Sequence, residues 1–298
     1  MTGLTDRQAL RVCRWGMIVL SLLALVAMGI VATGSGRAWL HRVDSEWLGE
    51  RVMDILTRLR SDEDWSLAEP LRPAQDYAWL LAGGTPLRIA HALGESGSPA
   101  ANTLGALRRS YQAGFRIFEV DLVLEDGELR CKHDPGPQTA MVLDGCTFET
   151  LMAALPPDAW VVLDIKTDFA VVGQRVVDHL KKTPIARRII FQLYRPGDFA
   201  LFNGWQRQVA LAGPILTAYL AHRRIDHVAG NTNRLGVRAF TLPIERLPAL
   251  HVRPLGTAVL VHPIHNCALW SIVAQAKADG AYTVSSMRCV PDSHTSHS

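Results

Sequence analysis

The sequence predicts an α/β protein: a small (β/α)8 TIM barrel preceded by an N-terminal transmembrane helix and an amphipathic helix. Three observations carry the prediction. From Pro86 onward, short apolar runs alternate with helical patterns, giving eight strands over roughly 210 residues, the rhythm of a compact barrel. No G-x-G-x-x-G or G-x-x-x-x-G-K-S/T loop is present, which weakens the nucleotide-cradling folds and leaves an open doubly wound sheet as the alternative. Polar and ionisable residues collect at the ends of the apolar runs, where a barrel places its chemistry.

The elements follow in order. Residues 1–15 form a short basic tail. Residues 16–34 carry no charge and are long enough, against the ~20 residues a spanning helix needs, to be a membrane anchor. Arg7, Arg11 and Arg14 before it and Arg37 and Arg42 after it favour a cytoplasmic N-terminus. A cleaved signal peptide is the rival reading; in both cases the bulk of the chain is exported. Residues 35–85 form a juxtamembrane segment. Within it Trp47, Leu48, Val52, Ile55, Leu56 and Leu59 recur at helical spacing, and Ser61 to Thr85 reads as a linker with a short helix.

The barrel is expected over residues 86–290. Its strands are Leu87–His91, Arg116–Leu122, Trp160–Lys166, Arg188–Tyr194, Val209–Leu216, Val237–Leu242, Thr257–His262 and Ala281–Ser285. Helical stretches lie at Thr103–Ala113, Val171–Lys182, Ile225–Asn231 and Leu269–Asp279, and a hairpin strand, Glu128–His133, follows the Asp126-Gly127 turn. Residues 291–298 form a His/Ser-rich tail, expected to be disordered.

The net charge of +3 is mild and no basic block interleaves with aromatics, so nucleic acid is not an expected partner. Of five cysteines, four belong to the exported part. They permit two disulfides, with Cys131–Cys146 and Cys267–Cys289 as the nearest-neighbour pairing, or buried free thiols. None has the C-x-x-C spacing of a zinc site.

Glu119 and Asp121 lie one residue apart in the run Arg-Ile-Phe-Glu-Val-Asp-Leu, so both face one side of a buried strand. Two desolvated acids repel, and a divalent cation between them is the simplest remedy. Asp164 at the end of the next strand completes an all-oxygen set, the chemistry of Mg2+ or Ca2+ rather than zinc. Lys166 shares Asp164's face and adds a positive charge. His91 and His133 end strands of the same set and can serve as general acid and base. Gln192 and Tyr194 share one face at the fourth strand's end. An ion, a lysine and two histidines suit displacement at phosphorus.

The motifs Ile89-Ala-His91-Ala-Leu-Gly94, Asn102-Thr103-Leu104, Gly114-Phe-Arg-Ile-Phe-Glu119-Val-Asp121-Leu, Asp126-Gly127, His133-Asp134 and Val161-Val-Leu-Asp164-Ile-Lys166 resemble the glycerophosphodiester phosphodiesterase family, part of the phosphatidylinositol-phospholipase-C-like barrels. The resemblance spans about residues 87–290. It implies that His91 and His133 are the acid/base pair, that Glu119, Asp121 and Asp164 hold the metal, and that a phosphodiester is hydrolysed. Ala92 stands where the family usually has an arginine that helps hold phosphate, Ala100-Ala101 replaces Pro-Glu, and Asp164 replaces a more common glutamate. A divergent bacterial branch with His-Ala-x-Gly, then Asn, then Gln-x-Tyr is closer. It brings Asn102, Gln192 and Tyr194, with Lys166, into the expected substrate-binding set. Asp164-Ile-Lys-Thr also resembles the sphingomyelinase D relatives.

The expected function is therefore a metal-dependent phosphodiesterase acting on a glycerophosphodiester or phospholipid headgroup. It is expected in a bacterial inner membrane, single-pass, with the catalytic domain periplasmic. The alternatives are a non-catalytic barrel that binds a headgroup or glycan, and a lyase-type enzyme that stops at a cyclic phosphate.

Overall fold

The structure, a computed structural model, describes residues 65–72, 75–84, 86–134, 145–217, 225–244, 247 and 256–287. The anchor at 16–34, the amphipathic helix at 44–60 and the tail at 291–298 lie outside the described residues. No described helix is long and apolar enough to cross a membrane.

Among the described residues nine strands form one sheet: β1 (Leu87–Ala90), β2 (Ile117–Glu125), β3 (Glu128–Cys131), β4 (Trp160–Ile165), β5 (Ile189–Leu193), β6 (Ile215–Thr217), β7 (Ala239–Pro243), β8 (Ala258–Ile264) and β9 (Gly280–Thr283). Their order is β1-β9-β8-β7-β6-β5-β4-β2-β3, and β1 also pairs with β2. That extra pairing closes eight parallel strands into a barrel, with β3 added as an antiparallel hairpin on β2. The open-sheet alternative is thereby excluded. The main helices are α1 (Leu104–Gln112), α2 (Phe148–Ala154), α3 (Phe169–Leu180), α4 (Pro196–Gln206), α5 (Ile225–Leu235) and α6 (Cys267–Gln275).

Strand alternation divides the apolar residues into two cores. Outward-facing Phe118, Val120, Val161, Leu163, Phe191 and Phe240 pack in the larger core that contains the helix residues. Inward-facing Leu87, Ile89, Ile117, Val162, Ile190 and Leu260 form a second core inside the barrel. Further along the same inward parity the residues turn polar: Glu119, Asp121, Asp164, Gln192, Thr217, Thr241 and His262. The barrel is thus filled with hydrocarbon at its N-terminal end and lined with polar groups at its C-terminal end, where barrel enzymes work.

The segment expected to be a linker is part of this construction. Trp79 and Tyr77 join the inner core. The Trp79 indole donates to the Gly213 carbonyl at 3.0 Å, and the Tyr77 hydroxyl donates to the Pro214 carbonyl at 3.1 Å. A Cβ on Gly213 would fall 2.6 Å from the Tyr77 ring, so this plug needs glycine there. Trp65 packs edge-on against Phe199, with ring centroids 6.2 Å apart.

One strand expectation changes, and two helices join those expected. The apolar run Val209–Leu216 yields a strand only over Ile215–Thr217, because Gly213-Pro214 interrupts it and proline cannot donate to a ladder. Helix α4 was hidden by Pro196-Gly197, which resembles a turn but places proline at the first helical turn, where its missing N–H costs nothing. Helix α2 begins with Thr147, whose hydroxyl accepts from the Thr150 N–H at 3.3 Å.

Candidate active site

Register brings the acids together. Asp121 on β2 pairs directly with Asp164 on β4, and Glu119 lies two residues earlier on the same face. Oxygens of Glu119, Asp121 and Asp164 all lie within 4.8 Å of one another. The three are buried, with 1%, 3% and 5% of their surface exposed.

Each carboxylate is held. The Ala92 N–H donates to Glu119 Oε2 at 2.6 Å. The Asn102 side-chain amide donates to Asp121 Oδ2 at 2.7 Å, while its Oδ1 accepts from the Asp121 backbone N–H at 3.1 Å. Lys166 Nζ bridges Asp121 Oδ1 at 2.9 Å and Asp164 Oδ2 at 2.6 Å. The Tyr194 hydroxyl donates to Asp164 Oδ1. Asp198 at the start of α4 accepts from the Tyr194 and Arg195 backbone N–H groups at 2.7 and 2.8 Å. The residue that caps α4 therefore also anchors the tyrosine that orients Asp164.

The turn after β1 shapes this corner. Ala92, Leu93 and Gly94 have φ of 50°, 62° and 99°, three successive residues in the left-handed region. For the two non-glycine residues this costs on the order of 1–3 kcal/mol each. Surrounding bonds hold the turn: the Ala92 carbonyl accepts from the Asn102 N–H at 3.0 Å, Leu93 O from the Ser110 hydroxyl at 2.7 Å, and Gly94 O from the Ser285 N–H at 2.8 Å. The conformation turns the Ala92 N–H onto Glu119.

Burial, with Asp121 and Asp164 beside it, holds the Glu119 carboxyl well above the usual carboxylate range. Burial also raises Asp164, opposed by the Lys166 ammonium. With all three acids ionised, the state a bound ion requires, one lysine leaves two formal negative charges. The all-oxygen donor set, its spacing and this residual charge fit a hard divalent cation.

The sequence-predicted residues fall in two groups. Glu119, Asp121, Asp164, Lys166, Asn102 and Tyr194 form one bonded cluster. Both ends of the Asn102 amide are committed to Asp121, so it braces a carboxylate. Gln192, beside Asp164 in register, joins this cluster through its Nε2, which donates to the Tyr194 hydroxyl at 3.4 Å, while its Oε1 accepts from the Tyr282 hydroxyl at 3.0 Å. His91 opens the turn after β1; burial pushes its imidazole down to about 4, with Asp121 pulling the other way. His133 lies just past β3 rather than at its end, with 63% of its side chain exposed, and its Nδ1 is 3.0 Å from Asp134 Oδ1. It is close enough to His91 to act on it electrostatically. The disulfide Cys131–Cys146 closes the loop that carries His133, as the nearest-neighbour pairing expects. Cys267 is also disulfide-bonded; its expected partner, Cys289, lies outside the described residues.

His262 was missed. Its Nε2 lies 2.9 Å from His91 Nε2. The available signal was parity: His262 shares the inward face of β8 with Leu260 and ends an apolar run.

No protein-family profile and no curated protein sequence matches the chain. Solved structures do. A glycerophosphodiester phosphodiesterase from Thermotoga maritima matches with a TM-score of 0.51 and 17% identity, over 65% of this chain and 93% of that one. A phosphodiesterase from Oleispira antarctica, solved with the product sn-glycerol-3-phosphate, matches with a TM-score of 0.52 and 16% identity, over 67% and 93%. A glycerophosphoryl diester phosphodiesterase from Parabacteroides distasonis matches with 0.52 and 12%, over 78% and 87%.

The chain has the glycerophosphodiester phosphodiesterase fold. Its identity to these structures is 12–17%, and the matches cover 65–78% of the chain. Within that phosphodiesterase-like barrel, the acidic cluster lies midway along β2 and at the C-terminal end of β4, just beyond the apolar filling of the barrel.

Proposed function

We propose that this chain is a metal-dependent phosphodiesterase that hydrolyses a glycerophosphodiester or phospholipid headgroup. The observation that carries the proposal is the buried Glu119–Asp121–Asp164 cluster, bridged by Lys166, at the mouth of a phosphodiesterase-like barrel. The sn-glycerol-3-phosphate bound to the Oleispira antarctica protein supports a phosphodiester substrate.

Glu119, Asp121 and Asp164 would hold Mg2+ or Ca2+. When bound, the ion supplies Lewis-acid polarisation of a phosphoryl oxygen. Lys166 places an ammonium beside the same pocket to bind the anionic phosphate. His91, held neutral by burial, takes the proton from an attacking water as its oxygen forms the new O–P bond. His133, at the rim, gives a proton to the leaving alcohol oxygen as the old P–O bond breaks. When a hydroxyl of the substrate attacks instead, the same roles yield a cyclic phosphate, the lyase-type outcome.

Export is the proposed location, with residues 16–34 as the anchor, the partner membrane a bacterial inner membrane, and the barrel on its periplasmic side. The Cys131–Cys146 disulfide supports an oxidising compartment.

One feature favours the non-catalytic binding barrel: the turn after β1 offers the methyl of Ala92 where the family places arginine, and the Ala92 N–H is spent on Glu119. Assay of the full-length protein decides between them. Cleavage of glycerophosphodiesters is expected with Mg2+ or Ca2+ and none with chelator. Glu119→Ala, Asp121→Ala and His133→Ala are each expected to lower kcat by about 100-fold or more. Headgroup binding without turnover, or unchanged rates in all three variants, removes the phosphodiesterase reading.

A further inference from the structure

His262 is a half-buried ionisable group that the proposed chemistry does not use. It projects inward from β8 on the same parity as Leu260, while His91 opens the turn after β1. Strand β9 lies between them, pairing with β1 at Ile89–Tyr282 and with β8 at Val261–Ala281. The two imidazoles meet with Nε2 atoms 2.9 Å apart and ring centroids 4.3 Å apart at 74°. Tyr282 braces both edge-on, with centroid distances of 5.2 Å to His262 and 6.3 Å to His91. The Tyr282 hydroxyl is tied across the barrel to Gln192 Oε1 at 3.0 Å.

A nitrogen–nitrogen contact of this length holds one hydrogen. Two lone pairs would repel there, and two N–H groups would clash. The protonation sites of the two rings are therefore linked. When His262 donates, His91 carries its proton on Nδ1; when His91 donates, its Nδ1 is the lone-pair nitrogen. Among the described residues His91 Nδ1 is buried and has no hydrogen-bond partner, so the ring is oriented through its Nε2 contact with His262. An apolar ring in place of His262 would pack on Tyr282 without the cost of desolvating a second imidazole. A base oriented by a third group is the usual arrangement in acid–base sites, here with a neutral imidazole in the orienting role.

We propose that His262 is a positioning residue for His91, accepting from its Nε2–H and so holding the His91 ring in one orientation and in the tautomer whose Nδ1 lone pair can take a proton. This rests on the assignment of His91 as the proton acceptor. The test uses full-length protein labelled with nitrogen-15, with the His91 signals identified by their loss in His91→Gln. Long-range nitrogen–proton spectra read the tautomer directly. Steady-state kinetics on bis(4-nitrophenyl) phosphate with Mg2+ read turnover. His262→Phe keeps the ring contact with Tyr282 but removes the hydrogen bond; His262→Gln can donate or accept in its place.

The wild type is expected to show His91 in a single neutral tautomer. His262→Phe should show averaged His91 shifts and a drop in kcat of roughly tenfold or more at nearly constant KM. His262→Gln should recover most of both. Unchanged His91 shifts in His262→Phe would overturn the proposal, as would equal losses of kcat in the Phe and Gln variants, the mark of a packing role. A wild type that cleaves no phosphodiester would defeat the functional reading instead, and the nitrogen shifts would still decide whether His262 sets the His91 tautomer.

Discussion

Single residues at this barrel mouth are chosen for how they hold neighbours. Asn102 and Tyr194 each spend their polar atoms on a carboxylate, and Asp198 holds Tyr194 in turn. A carboxylate with its lone pairs fixed this way presents its oxygens to an ion without reorganising. His91 shows the opposite electrostatic response: burial pushes its pKa down to about 4 from 6.5. The unfolded chain therefore takes up a proton near the ordinary imidazole value while the folded chain refuses it until far lower. This contribution to stability is fully present above about 6.5 and is lost as pH falls from there through about 4. Thermal melts of the wild type and His91→Gln over that window should show the wild type losing stability more steeply. Parallel curves would mean that His91 is not buried in neutral form.

At the scale of elements, the turn joining β1 to α1 is a strained connector that positions Glu119. Gly94 is its pivot. Its φ is +99°, and a Cβ there would fall 1.9 Å from the Ser110 hydroxyl oxygen. Gly94→Ala should cost about 2 kcal/mol or more through the left-handed backbone and the clash. Because Ser110 ties the same turn to α1 through Leu93 O, the substitution is also expected to loosen Glu119 and weaken divalent-ion affinity. Melting and ion titration by calorimetry check the two effects; an unaltered melting temperature would show the turn to be more adaptable than its bonding suggests. The Cys131–Cys146 link works on the neighbouring loop. By the loop-closure relation, tying a segment of this size removes about 3 kcal/mol of unfolded-state freedom.

For the whole molecule, the barrel concentrates its electrostatic tension at one end. An apolar plug of Tyr77, Trp79, Ile89 and Ile117 fills the other. Glu119 and Asp164 have raised pKa values, so without an ion the folded state binds protons more tightly than the unfolded chain. That contribution is present at low pH and is lost as pH rises past the ordinary carboxylate range through the raised values. A divalent cation reverses the trend, because it needs the deprotonated acids and displaces their protons. The stabilisation produced by Mg2+ or Ca2+ should therefore grow with pH, approaching about 2.7 kcal/mol at a hundredfold excess over Kd. It should be absent in Asp121→Asn. Melts across a pH series with and without chelator measure it, and a cation effect that shrinks as pH rises would contradict carboxylate ligation.

Much of this was legible without coordinates, because strand alternation is a local property. The parity of Glu119 with Asp121, of Asp164 with Lys166, and of Gln192 with Tyr194 follows from chain geometry alone, as do the apolar runs that became β1, β2, β4, β5 and β7. Other features depended on contacts between distant segments. The joining of β1 to β2 and β9, which separates a barrel from an open sheet, is a pairing no single run encodes. Trp79 reads as an ordinary apolar residue until Gly213 is placed beneath it. His262 reads as a strand-end histidine until closure of the barrel brings it within 2.9 Å of His91, 171 residues away. Sequence by itself determined which way each side chain faces, since that is set by bonded neighbours. Tertiary structure decided which faces meet, since that depends on closing the sheet.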